Sequence, residues 1–159
     1  MKILIVCLGN ICRSPLAQGV LQQKCDEAGL QVKVDSAGTA GYHQGEPPHP
    51  DSIKVAQENG ISISHQRGRM FKTCDIQEYD KILAMDRSNY CAIKTSSGKS
   101  WDESKVSLFL NELNPGKNEE VPDPWYGTYD GYKDVYKLID ATCDRIVEKL
   151  KNELSLAQN

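Results

Sequence analysis

The first stretch of the chain constrains the fold most. Lys2 to Cys7 is a short run holding four successive apolar residues, Ile3 to Val6, the pattern of a strand covered on both faces. Cys7 closes the run, Leu8, Gly9, Asn10, Ile11 and Cys12 follow it, and Arg13 and Ser14 lead to Pro15, where helical spacing begins. A strand, a tight loop and a helix N-terminus in that order belong to an α/β sheet. Such a loop turns several backbone N–H groups inward and the helix adds the positive end of its dipole, so the natural guest is a tetrahedral oxyanion. The Cys7 sulfur would lie beneath that guest.

The remainder of the chain repeats the alternation. Leu16, Val20, Leu21, Cys25 and Ala28 follow helical spacing and Gly29 supplies the stop. Residues 32–34 read as a second strand and the following DSAGTAG as a loop, which makes a βαβ unit with a right-handed crossover. Residues 50–60 read as a short helix with proline in its first turn, and residues 70–79 as one helical turn. Residues 81–85 (KILAM) read as a third strand, with a helix from about Arg87. Residues 106–110 read as a fourth strand, and residues 111–129, with VPDPWYG in their midst, as a long loop of the kind that carries function. From Tyr132 the positions Val135, Tyr136, Ile139, Cys143, Ile146, Val147, Leu150 and Leu154 form one apolar stripe of a terminal helix. The expected fold is an open, four-stranded parallel sheet with helices on both faces, doubly wound and flavodoxin-like, with strand order 2-1-3-4. In such sheets ligands bind beyond the carboxyl ends of the strands. Cys7, Ser36, Asp86 and the loop after the fourth strand would meet there.

Composition narrows the function classes. A chain of 159 residues suits one domain, and 19 Lys and Arg against 22 Asp and Glu, with no basic run, argue against nucleic acid as a partner. No apolar run reaches the roughly 18 residues of a membrane span, and the apolar segment after Met1-Lys2 is too short for a signal peptide. The expectation is a cytoplasmic protein without membrane insertion. The six cysteines are scattered rather than spaced as a disulfide scaffold or a zinc site, and the three histidines do not cluster with them. Free thiols are expected, with no metal and no cofactor.

The loop itself carries chemistry. A cysteine acts as a nucleophile only as thiolate, and a helix N-terminus lined by N–H groups and an arginine favours that form. Gly9 and Asn10 are among the residues that best tolerate the positive φ such a loop requires. Arg13 can grip two phosphoryl oxygens at once, and Ser14 can donate to the sulfur. Expelling an alkoxide or phenoxide from phosphorus also needs a general acid, and Asp123 of VPDPWYG reaches the same rim in the expected topology. A thiolate base form and a protonated acid together predict a bell-shaped pH profile with its optimum on the acid side of neutrality.

With these motifs, VCLGNICRSP at the front, DSAGT at residues 35–39, ISH at 63–65, AMDRSN at 84–89 and DPWYG at 123–127, the chain closely resembles the low molecular weight protein tyrosine phosphatase family. The resemblance implies two-stage covalent catalysis on phosphotyrosine in a protein or on a small aryl phosphate, with inorganic phosphate as product. Cys7 would become a phosphocysteine, Arg13 and the amides of the loop from Leu8 to Ser14 would hold the oxygens, and Asp123 would protonate the leaving group and then activate water. It further implies that Asn10, Ser36 and His65 shape the loop and that Asp86 anchors hydrogen bonds near Ser14. Leu8, Ile11, Tyr42, Trp125 and Tyr126 would wall the aromatic pocket. Cys12 would form a reversible disulfide with Cys7 that spares it from over-oxidation. In relatives the tyrosines after the acid loop can be phosphorylated, which puts forward Tyr129 and Tyr132.

Three rival readings start from the same loop. Thiol-dependent arsenate reductases share the fold but relay electrons through two further cysteines after the third strand. Here Ala84 stands where the first would be, with Cys91 beyond it. Phosphoarginine-specific relatives carry a small polar residue at the position of Ile11. A silent phosphoresidue-binding module would have lost the nucleophile or the acid, yet Cys7, Arg13 and Asp123 are all present.

Overall fold

The computed structural model describes residues 1–157, with side chains through Ser155. Four parallel strands, β1 (Lys2–Cys7), β2 (Lys33–Gly38), β3 (Lys81–Ala84) and β4 (Val106–Leu108), form one sheet in the order β2-β1-β3-β4. The helices are α1 (Arg13–Glu27), α2 (Pro50–Glu58), α3 (Asp75–Glu78), α4 (Arg87–Ser97) and α5 (Tyr129–Ala157). This is the expected order and topology.

Burial of both sheet faces follows from the alternation along the strands. Ile3, Ile5 and Leu83 face the layer of α1, α2 and α5, where Leu16, Val55, Ile139 and Cys143 meet them. Leu4, Val6, Ile82 and Ala84 face the other layer, with Ile76 and Ile93. Of the predicted stripe of α5, Val135, Ile139, Cys143, Ile146, Val147 and Leu150 are buried, and Tyr136 and Leu154 are half-buried against the same core. No helix among the described residues is long and apolar enough to cross a membrane.

Element boundaries depart from the expected ones where pairing overrides local sequence. β2 continues through Ser36 to Gly38, residues expected in a loop, because central β1 offers a partner at each step: Leu4 opposes Asp35 and Ile5 opposes Ser36. β4 stops at Leu108, and a 3₁₀ turn, Phe109–Glu112, takes its place. α1 begins at Arg13, with Pro15 in its first turn, where a missing N–H costs nothing. α5 begins at Tyr129, three residues before the expected start.

Candidate active site

The rim at the carboxyl ends of the strands gathers Cys7 from β1, the loop that follows it, Asp86 after β3 and Asp123 from the long return loop. Four carbonyls of this stretch, those of Cys7, Leu8, Ile11 and Cys12, are held by partners outside it. The carbonyls of Cys7 and Leu8 accept from the N–H groups of Thr39 and Ala40, each at 2.9 Å, and that of Ile11 accepts from His49 N–H at 2.8 Å. The Cys12 carbonyl accepts from Ser52 Oγ at 3.1 Å. Among the described residues, by contrast, the N–H groups of residues 8 to 13 donate to no protein acceptor. Asn10, Ile11, Cys12 and Arg13 are buried all the same. Buried N–H groups are otherwise nearly always paired, so the loop is a nest of donors at the head of α1, built for an anion. Gly38 allows the close approach that anchors it: a Cβ there would lie 2.8 Å from the Leu8 carbonyl oxygen and 3.1 Å from Asn10 N.

Asn10 holds the loop from within. Its backbone is left-handed, φ 58°, and its Oδ1 accepts the Arg69 N–H at 3.0 Å. That donor fixes the orientation of the amide, so Nδ2 donates to Ser14 Oγ at 2.8 Å and to Ser36 Oγ at 2.9 Å. With its oxygen accepting from Asn10, Ser14 keeps its own hydrogen for Cys7 Sγ, 2.9 Å away. Ser36 Oγ in turn donates to Gln18 Oε1 at 2.6 Å.

Arg13 is buried between two carboxylates. Its Nη1 donates to Asp86 Oδ2 at 2.8 Å and to the Val121 carbonyl at 2.9 Å, and its Nη2 lies 3.7 Å from Asp123 Oδ2. Burial works against the guanidinium charge, but Cys7, Asp86 and Asp123 together more than offset it and raise the Arg13 pKa. Asp86 Oδ1 also accepts Asn89 N–H at 2.8 Å as the N-cap of α4. Asp123 is half-buried and caps its own turn, accepting Trp125 N–H at 3.1 Å.

A cleft opens above the sulfur, lined by Leu8, Ile11, Tyr42, Trp125 and Tyr126 as expected and also by His43. Cys12 lines it beside Cys7, with its sulfur 3.5 Å from the Tyr132 hydroxyl. Burial pushes the Cys12 thiol up to about 12, with the Tyr132 hydroxyl partly opposing the shift.

Several expected placements change. His65 is exposed and makes no hydrogen bond among the described residues; Gln18 occupies the far side of Ser36 instead. Asp86 reaches Arg13 rather than the surroundings of Ser14. Tyr132 is 2% exposed, its ring stacked on His49 at 5.1 Å, so it offers no surface to a kinase. Tyr129 is half-buried, with Lys54 Nζ 4.1 Å from its ring centre. Residues missed at the sequence level are Gln18, His43 and His49. Gln18 lies on the same helix as Ser14, one turn on, which is the one local signal that could have found it. The histidines sit in a proline-rich segment with no periodicity to orient them.

The family described as low molecular weight phosphotyrosine protein phosphatase matches residues 2–156. The chain is 40% identical over 144 residues to the low molecular weight phosphotyrosine protein phosphatase of Schizosaccharomyces pombe, covering 88% of this chain and 91% of that protein. It is 32% identical over 158 residues to the low molecular weight protein-tyrosine-phosphatase YfkJ of Bacillus subtilis, covering 98% and 99%. The crystal structure of YfkJ superposes with a TM-score of 0.88 over 96% of each chain. That of an Entamoeba histolytica protein tyrosine phosphatase superposes with a TM-score of 0.86 at 32% identity, over 96% of this chain and 98% of that one.

Proposed function

The chain belongs to the low molecular weight phosphotyrosine protein phosphatase family, and on that premise we propose that it hydrolyses phosphotyrosine and small aryl phosphates through a phosphocysteine. In the first step the Cys7 thiolate attacks phosphorus, the S–P bond forms as the P–O bond breaks, and Asp123 gives its proton to the departing phenolate oxygen. In the second, Asp123 as carboxylate takes a proton from water, whose oxygen attacks phosphorus and expels the thiolate, releasing inorganic phosphate. Arg13 and the N–H groups of residues 8 to 13 hold the three equatorial oxygens throughout. Ser14 donates to the sulfur as it leaves. These steps draw on no metal.

The observation that carries this reading is the ring of unpaired, largely buried N–H groups around Cys7, set against the carbonyls of Cys7, Leu8, Ile11 and Cys12, which are engaged outward. Ile11, buried and lining the cleft, gives an apolar contact suited to an aromatic ring. That Cys12 guards Cys7 by forming a disulfide belongs to the same proposal. Both sulfurs line one cleft, so once peroxide has oxidised the Cys7 thiolate to a sulfenic acid, the Cys12 sulfur attacks the Cys7 sulfur, expels water and closes the disulfide in place of further oxidation.

The test is turnover of phosphotyrosine, phosphoserine, phosphoarginine and arsenate with chelator present. Phosphotyrosine is expected to lead. Cys7→Ser abolishes turnover and keeps phosphate binding. Asp123→Ala loses about 10²- to 10⁴-fold on phenyl phosphate and much less on p-nitrophenyl phosphate, whose leaving group needs no proton. Equal losses on the two esters would remove Asp123 from the acid's role.

A further inference from the structure

Six large apolar side chains are exposed among the described residues: Met1, Leu8, Tyr42, Met70, Trp125 and Tyr126. Four of them, Leu8, Tyr42, Trp125 and Tyr126, line the catalytic cleft, and Tyr42 and Tyr126 are 79% and 85% exposed. Met70 joins them, since its Sδ lies 3.6 Å from where a Cβ on Gly41 would stand, next to Tyr42. Only Met1 is unrelated to the cleft. A phosphorylated ring entering the cleft needs walls, not a collar of apolar groups turned to solvent, and clustered exposed apolar surface marks a protein contact. Tyr, Trp and Met are also the residues that enrich such contacts.

The collar continues on one side into a groove. Ile11, His43 and Trp125 line the cleft and the groove alike, so they form a partition one side chain thick. The far wall is Pro47, Pro48 and Ile53 of α2. Its conformation is already set, because proline fixes φ. The His49 ring packs edge-on against Trp125 at 5.3 Å and stacks on Tyr132. A groove so held binds without first ordering itself.

We propose that this groove seats an apolar side chain of the substrate protein, two residues from the phosphotyrosine in an extended segment. The inference rests on the phosphotyrosine reading of the cleft. In an extended chain side chains alternate, so residues two apart point the same way, about 7 Å apart. With the phosphorylated ring in the cleft, the next side chain on that face crosses the partition of Ile11, His43 and Trp125 and meets Pro47 and Ile53. The groove thus selects among phosphotyrosine sites without touching the phosphate.

The experiment measures kcat/KM on phosphotyrosine peptides in which each of three positions on either side carries leucine, alanine or aspartate. Wild type is expected to favour leucine over aspartate about tenfold at one position two residues from the phosphotyrosine, the factor for about 1.4 kcal/mol of burial. Ile53→Asp and, on the exposed wall, Pro47→Asp erase that preference while turnover of phenyl phosphate stays at the wild-type rate. A flat scan in wild type, or a preference that survives both substitutions, overturns the proposal. So does a shift in self-association caused by either substitution with peptide selectivity unchanged, which would assign the groove to a second copy of the chain. Failure of wild type on phenyl phosphate itself would instead remove the phosphatase reading, so the two failures are distinct.

Discussion

At Asn10 the backbone stands at φ 58° while the side chain makes three hydrogen bonds to three separate segments. A left-handed backbone costs most residues about 1–2 kcal/mol, and Asn is among the few that bear it readily. Asn10→Ala would add that strain and leave the Arg69 N–H and the Ser14 and Ser36 hydroxyls without their partner, in a site where each unsatisfied group costs about 1–3 kcal/mol. The expected outcome is a loss in kcat/KM on the order of 100-fold, as the donors of the loop drift from the positions of the oxygens. Asn10→Gly separates the two causes, since glycine accepts the φ but restores no hydrogen bond. It should recover stability measured by denaturant unfolding and leave kcat/KM low. Recovery of full activity by glycine would mean that the side-chain bonds do not position the loop.

Asp86 joins two elements with one carboxylate. Oδ1 caps α4 through Asn89 N–H and Oδ2 holds Arg13 beneath the loop. Asp86→Ala loses both, with about 1 kcal/mol of helix stability from the cap. Asp86→Ser keeps a capping oxygen but is too short and uncharged to hold the guanidinium. Serine is therefore expected to regain over alanine the share of melting temperature that the cap supplies, but not the share that the buried Arg13 pair supplies, and to lower kcat/KM to the level of alanine; a serine variant with native turnover would confine Asp86 to the helix. Asp86 stands immediately before the helix that the pattern starts at about Arg87, which makes its capping role legible in the sequence. The contact with Arg13 is not, since it joins two positions 73 residues apart. The same divide runs through the molecule. The continuous apolar run of Ile3 to Val6 declares a strand covered on both faces, the stripe of α5 declares its face by period, and Cys7 and Arg13 share one loop. β2 beyond Val34, Gln18 on Ser36, and His49 between Trp125 and Tyr132 are products of packing, and no local pattern announces them.

Across the whole molecule, several buried acids keep their protons longer than they would in an unfolded chain. Burial pushes the Cys25 thiol up to about 11 and Cys12 to about 12, both from 9.0. Cys143, fully enclosed between α5 and the sheet, is raised as well. Tyr79 is pushed up to about 12 from 10.0, first by burial and then by its hydrogen bond to Asp35. In each case the folded pKa lies above the unfolded one, so between pH 9 and the folded values the native state binds more protons than the unfolded state. Stability from these groups is fully present below pH 9 and falls as pH rises through the window, by about 1.4 kcal/mol per pH unit for each group in it. The enzyme should thus lose melting temperature steeply from about pH 9 upward while its acid-side behaviour is set by other groups. Cys25→Ala takes one thiol out of this balance. It lowers the melting temperature at pH 7 by leaving a small cavity, yet its decline between pH 9 and 10.5, measured with reductant present, should be shallower than that of the native chain. Parallel declines for the two proteins would show that Cys25 exchanges no proton on unfolding in that range, and that the alkaline limit of the fold lies elsewhere.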